Sequence, residues 1–220
     1  MVAIDWEFAW EILPTLLSAL VVTIQASVLG FALAAVLGLV FALARRSTSP
    51  WISQPVGALV EFVRSTPLLV QLFFLFYVLP QYGIRLPAFI VGVFGLGLHY
   101  STYTSEVYRA GIDSITRGQW EASTALNFST VRTWGAIILP QAIPPMIPAL
   151  GNYLIGMFKE SAQLAAITVV ELLQTAKIIG SRSFRYLEPI TMVGLLFLAL
   201  SYLSAVGLNR LEVYLAKRHQ

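Results

Sequence analysis

The chain has no cysteine. That excludes a disulfide framework and any cysteine-based metal or redox site. Only two histidines are present, too few to build a transition-metal centre without cysteine, so no metal is expected. Charge is also scarce, at 11% of residues, where a soluble domain carries about 25%. Fourteen Lys plus Arg against 11 Asp plus Glu give a net charge of only +3. The excess is too small for a nucleic-acid partner, and the basic residues gather at the ends of apolar runs. No G-x-x-x-x-G-K-[ST] phosphate loop occurs, so the chain cannot hydrolyse ATP alone. Neither a Ser-His-Asp set nor paired carboxylates can be assembled. An enzyme reading has little support, and any energy must come from a partner or a gradient. The segment from Met1 to Glu11 lacks a basic region and carries Asp5, Glu7 and Glu11, unlike a cleavable signal peptide. There is no repeat, low-complexity tract or linker, so residues 1–220 are expected to form one domain.

What is abundant is apolar sequence, at 57% of residues with a mean hydropathy of +0.76. The expected fold is all-α and integral to a membrane. Five apolar runs are candidate spans, over about 14–44, 56–79, 88–110, 137–158 and 187–208. The first is longer than a ~30 Å hydrocarbon core needs and must tilt or protrude. Pro140, Pro144, Pro145 and Pro148 interrupt the fourth, where a kink, a hinge or freed carbonyls are compatible readings. Five spans put the two ends on opposite sides. Arg45, Arg46, Arg64, Arg109, Arg117, Arg132, Arg210, Lys217 and Arg218 then share one side, nine of the 14 basic residues. The positive-inside rule makes that side cytoplasmic, with the N-terminus outside and the C-terminus inside. Lys177, Arg182 and Arg185 are the exception, and residues 161–185 read as a partly re-entrant or surface-lying segment at the outer gate.

Polar groups inside spans are costly unless they line water, a substrate path or a helix interface. The third span holds the densest set, from His99 to Glu106. His99, Tyr100 and Tyr103 from this span, with Asn152 and Tyr153 from the fourth, are the candidate substrate path. For His99 a satisfied helix contact is an equal alternative. Glu106 and Arg109 stand three apart on one helix face and are read as a structural ion pair. Gln71 is read as a helix–helix contact. Trp6, Trp10, Trp51 and Tyr82 suit interfacial anchors.

Between the third and fourth runs lies a polar loop, about 114–136, containing Gly118-Gln119-Trp120-Glu121-Ala122-Ser123-Thr124-Ala125-Leu126-Asn127. It reads as a short helix over 119–126, a turn at Asn127-Phe128, and a second helix capped by Ser129. Asn tolerates the left-handed conformation of a helix stop, and a serine oxygen satisfies a free N–H at a helix start. The loop resembles the cytoplasmic loop of ABC-transporter permeases: E-A-A, three residues, G, nine residues, I-x-L-P. Glu121-Ala122-Ser123, Asn127 and Ile137-Ile138-Leu139-Pro140 keep that spacing, with Ser123 for Ala and Asn127 for Gly. The resemblance implies a coupling helix that docks on a separate ATPase, carried by Gly118, Glu121, Ala122, Ala125, Asn127, Leu139 and Pro140.

The resemblance extends along nearly the whole chain. Glu61 to Gln71, Glu106 to Ile112 and Leu139 to Ala142 are similar to stretches of polar amino-acid uptake permeases, although Lys159-Glu160-Ser161-Ala162-Gln163-Leu164 departs from that family's Lys-Asp-Thr-Ser-Leu-type run. The runs Gly97 to Thr104, Ala125 to Ser129, Ile143 to Tyr153 and Phe184 to Pro189 resemble the permease of the ectoine/hydroxyectoine importer. The resemblance implies a type I ABC importer permease working by alternating access in a bacterial inner membrane, embedded in lipid. It implies a second permease chain, expected to form a heterodimer, an ATPase dimer that binds ATP and Mg, and an extracytoplasmic solute-binding protein. No cofactor is expected on this chain. The alternatives are a gradient-driven transporter or channel, and a non-transporting membrane scaffold.

Overall fold

The computed structural model describes residues 4–218. The first three residues of the acidic N-terminal segment lie outside the described residues. Helices account for nearly all of what is described, and no strand occurs among the described residues. The first helix, α1 (Trp6–Arg45), starts ahead of the expected apolar run because the Asp5 side chain accepts from the Phe8 N–H and caps it. At 1.5 Å per residue its 40 residues reach ~60 Å, well beyond one hydrocarbon thickness. The second expected run is bent. Helix α2 (Pro50–Ser65) stops at Thr66, and α3 (Leu68–Phe73), continued by a π turn (Phe74–Val78) and a 3₁₀ turn (Leu79–Tyr82), leaves at 102°. Pro67 forces this break. A residue before proline is pushed out of the α region, and Thr66 sits at φ −101°, ψ 132°.

Helix α4 (Ala88–Asp113) leads into the short α5 (Arg117–Ala125). After the turn come α6 (Thr130–Thr133), a π turn (Trp134–Ile138) and α7 (Leu139–Glu160), which form one helical stretch. The second helix of the loop is therefore continuous with the fourth run. A 3₁₀ segment (Ser161–Ile167), α8 (Leu172–Ser183) and α9 (Leu187–Arg218) complete the chain. Both π turns end two residues before a proline, Pro80 and Pro140. The wide turn moves the carbonyl that the ring would strike, so the helix passes the proline without breaking.

By length and composition α1 and residues 187–215 of α9 can each cross a membrane, and the bent pairs α2–α3 and α7–α8 bring the number to four. Helix α4, 26 residues long, does not pass that test because its C-terminal half is polar. It is nonetheless the centre of the bundle. Along α1, Ala26, Gly30, Ala34, Gly38 and Ala42 recur every four residues and all are buried. This stripe lies against α4, with Gly30 beside Leu96 and Gly38 beside Ser101 and Thr104. Apolar burial gives little drive among lipid tails, so close packing of small residues supplies the contact. Thr104 Oγ1 donates to the Ala34 carbonyl at 2.8 Å across the seam. The two helices run in the same direction, since Arg45 meets Glu106 near their C-terminal ends. Helix α7 runs opposite, placing Met146 against Gly111 and Tyr153 against Tyr100.

Candidate functional site

Helix α5 lies with Trp120 and Ser123 turned inward. Trp120 packs edge-on against Trp134 at 5.3 Å and joins a cluster with Ile112, Ala142 and Met146. Its outward strip is Gly118, Glu121, Ala122 and Ala125, all exposed and spaced so as to share one helix face. The helix ends at Asn127, which stands at φ 53°. Ser129 then accepts from the Arg132 N–H and starts the next stretch. Leu139 and Pro140 are exposed beyond the π turn. Gln141 donates to Gln119 at 3.3 Å and so joins α5 to α7.

The second feature is a cavity of about 240 Å³ between α4 and α7, lined by His99, Tyr100, Tyr103, Tyr153 and Glu160. The aromatic rings form a continuous wall. Tyr103 lies 5.4 Å from His99 and 5.7 Å from Tyr153, and Tyr100 lies 6.0 Å from Tyr153. Tyr100 interacts with the Glu160 carboxylate. Two polar atoms are buried here without a hydrogen-bond partner, His99 Nδ1 and Glu160 Oε2. A wall of ring faces with one carboxylate attracts a cationic group on both counts. The structure brings four of the five path residues read from the sequence into this cavity. Asn152 is not among the lining residues and is exposed, one helical step from Tyr153. Glu160 was left out of the path: the expected fourth span stops at 158, and Lys159-Glu160 stood only as a departure from the Lys-Asp-Thr-Ser-Leu-type run. Its signal was spacing, since residue 160 stands seven after Tyr153, on the same helix face.

Glu106 accepts from Arg109 at 3.1 Å, from Arg45 of α1, and lies 3.9 Å from Arg64 of α2. Its pairing therefore spans three helices. Gln71 joins α3 to α2: its Nε2 donates to the Val63 carbonyl at 2.7 Å and to the Thr66 carbonyl at 3.0 Å. At the opposite end of the bundle, Arg185 donates to Asp5 at 2.9 Å and to Glu188 at 3.2 Å, and its guanidinium covers the Phe8 ring at 4.5 Å.

Residues 34–213 match the family described as the binding-protein-dependent transport system inner membrane component. The chain belongs to this family. It is 50% identical over 97% of its length to a probable amino-acid ABC transporter permease, y4tG of Sinorhizobium fredii, of which 93% is covered. It is 34% identical to the L-cystine transport system permease TcyB of Bacillus subtilis, over 98% of this chain and 94% of that one. Among solved structures it superposes on a chain of an amino acid ABC transporter crystallised with histidines. There the TM-score is 0.91 and the identity 33%, with 97% of this chain and all of that one covered. A chain of the inward-facing MetNI methionine ABC transporter shares the fold, at TM-score 0.75 and 19% identity over 96% of this chain and 99% of that one. The all-helical architecture is thus that of an ABC importer permease, and the family is one of inner-membrane transport components.

Proposed function

We propose that this chain is the translocating subunit of an ATP-driven importer for small zwitterionic solutes, amino acids foremost. The observation that carries the solute class is the aromatic cavity with Glu160 at its edge. Its volume of about 240 Å³ falls below the ~300–1,000 Å³ of sites for drug-sized ligands, which suits a molecule of amino-acid size. The carboxylate and ring faces take the ammonium or guanidinium. Relatives named for amino acids in general and for L-cystine support the same class.

In this reading the membrane is crossed five times, by α1, the bent pair α2–α3, α4, α7 and α9. The N-terminus is outside and the C-terminus cytoplasmic. The outward strip of α5, with Asn127, Leu139 and Pro140, docks on an ATPase dimer that holds ATP and Mg. A second permease chain, forming a heterodimer, and a solute-binding protein complete the importer. ATP closes the ATPase pair, α5 moves, and the cavity opens outward to receive solute. Hydrolysis returns it inward. Ectoine lies within the solute class, because tyrosine faces suit its delocalised cation.

Competition tests the solute assignment. In cells carrying the importer, uptake of labelled arginine or glutamine that needs this chain, and is blocked by other cationic or zwitterionic amino acids, supports the amino-acid reading. Uptake of labelled ectoine blocked only by hydroxyectoine replaces it with the narrower solute. Uptake of an uncharged sugar, with neither of these, contradicts both.

A further inference from the structure

The coupling segment has two mechanical attachments. One is its packing on Trp134 and Gln141, which leads into α7. The other is covalent: Ser114, Ile115 and Thr116 are all that separate α5 from the end of α4. Immediately before that link, α1 grips α4 at two points. Arg46 pairs with Asp113, the last residue of α4, and Arg45 pairs with Glu106, two turns earlier. Arg109 and Arg64 share the Glu106 carboxylate. Further along the seam the small-residue stripe of α1 lies against α4 so closely that a Cβ on Gly38 would meet Thr104 Oγ1 at 2.0 Å. The seam therefore holds along its length, and the ion pairs close it at the end nearest α5.

We infer that Arg45, the last residue of α1, and Arg46, which caps that helix, are positioning residues for energy coupling. They clamp α1 to the end of α4, so that a displacement of α5 moves α1 and α4 as one rigid arm. Isolated exposed ion pairs hold little. Here the pairs add direction to a seam already packed, by fixing the rotation of α4 relative to α1 where the stroke enters. The arm carries His99, Tyr100 and Tyr103 on α4, whereas Tyr153 and Glu160 ride on α7. Moving α4 with α1 against α7 changes the width of the cavity, which a movement of α7 with α4 does not.

This inference rests on the transport reading above, and the test separates the two. The assembled importer is reconstituted in liposomes, and solute uptake and ATP hydrolysis are measured together for R46D, D113R and the swap R46D/D113R. The milder R46Q and D113N cover the case of poor folding. The expected result for each single variant is normal assembly and basal ATP hydrolysis with at least about a fivefold fall in solute moved per ATP. The swap is expected to restore the ratio to within about twofold. Single variants that couple as the unmodified chain does, or a folded swap that stays uncoupled, overturn the inference alone. No ATP-driven uptake with the unmodified chain overturns the transport reading and the clamp with it.

Discussion

Glu160 is the residue on which the solute class turns. One of its oxygens is buried without a partner beside three tyrosine rings, and in the proposed function a cationic group on the solute completes it. Removing a charge-assisted hydrogen bond costs about 1.5–3 kcal/mol, roughly tenfold or more in affinity. Glu160→Gln is therefore expected to reduce uptake at least about tenfold with basal ATP hydrolysis unchanged, measured by radiolabelled uptake alongside phosphate release. Gln71 is a structural counterpart. It satisfies the Val63 and Thr66 carbonyls at the bend that Pro67 creates. Gln71→Leu leaves the Thr66 carbonyl without that donor at a half-buried position and is expected to cost about 1–3 kcal/mol, read as a lower thermal midpoint in detergent. These two residues also mark how legible single positions were. The sequence placed His99, Tyr100, Tyr103 and Tyr153 together by their polarity within apolar runs. It separated Glu160 from them because the expected fourth span stopped at residue 158, short of Glu160. Asn152 was included on polarity alone, and helical geometry turned it the other way.

At the scale of elements, the apolar runs announced helices well and their bends poorly. The run 56–79 was read as one span although Glu61, Arg64, Ser65 and Thr66 crowd the residues before Pro67, and backbone sterics there make two segments at 102°. The π turns before Pro80 and Pro140 were likewise invisible, since nothing in residue type marks the widened turn. The seam between α1 and α4 was readable in principle. Ala26, Gly30, Ala34, Gly38 and Ala42 keep a four-residue period, but in a run rich in alanine the period is hidden by composition. Its energetic weight is testable with two glycines. Gly38→Ala places a Cβ 2.0 Å from Thr104 Oγ1 and 3.0 Å from the Ser101 carbonyl, an overpacking expected to cost about 1–3 kcal/mol. Gly57→Ala on α2 meets nothing within 4 Å and is expected to be neutral or to stabilise by up to about 1 kcal/mol through helix propensity. Thermal unfolding of both variants in one detergent distinguishes the seam from a general intolerance of change. The latch between the starts of α1 and α9 carries a pH dependence. Hydrogen bonding from Arg185 holds the Asp5 carboxyl below its ordinary value of 3.8. A depressed carboxyl contributes fully above that ordinary value, and the contribution is lost as pH falls through the lowered one. Asp5→Asn should therefore differ from the unmodified chain in thermal midpoint at neutral pH, with the difference fading below pH 3.8.

The whole molecule arranges charge at its two ends and chemistry between them. Arg45, Arg46, Arg64 and Arg109 gather with Glu61, Glu106 and Asp113 at the end that bears α5, while Asp5, Arg185 and Glu188 close the other. The cavity lies between helices that each reach the α5 end. This layout suits the proposed function, in which the subunit is powered from the α5 side. Glu121 is exposed on the outward strip of α5, and Glu121→Arg is expected to abolish co-purification with the ATPase while leaving membrane insertion intact. The most direct measurement is uptake of a labelled amino acid by cells carrying the assembled importer, with ATP depleted in one arm and the membrane gradient collapsed by an ionophore in another. The account predicts uptake that requires this chain, is lost with ATP and survives the ionophore. Uptake that survives ATP depletion and collapses with the ionophore would contradict it.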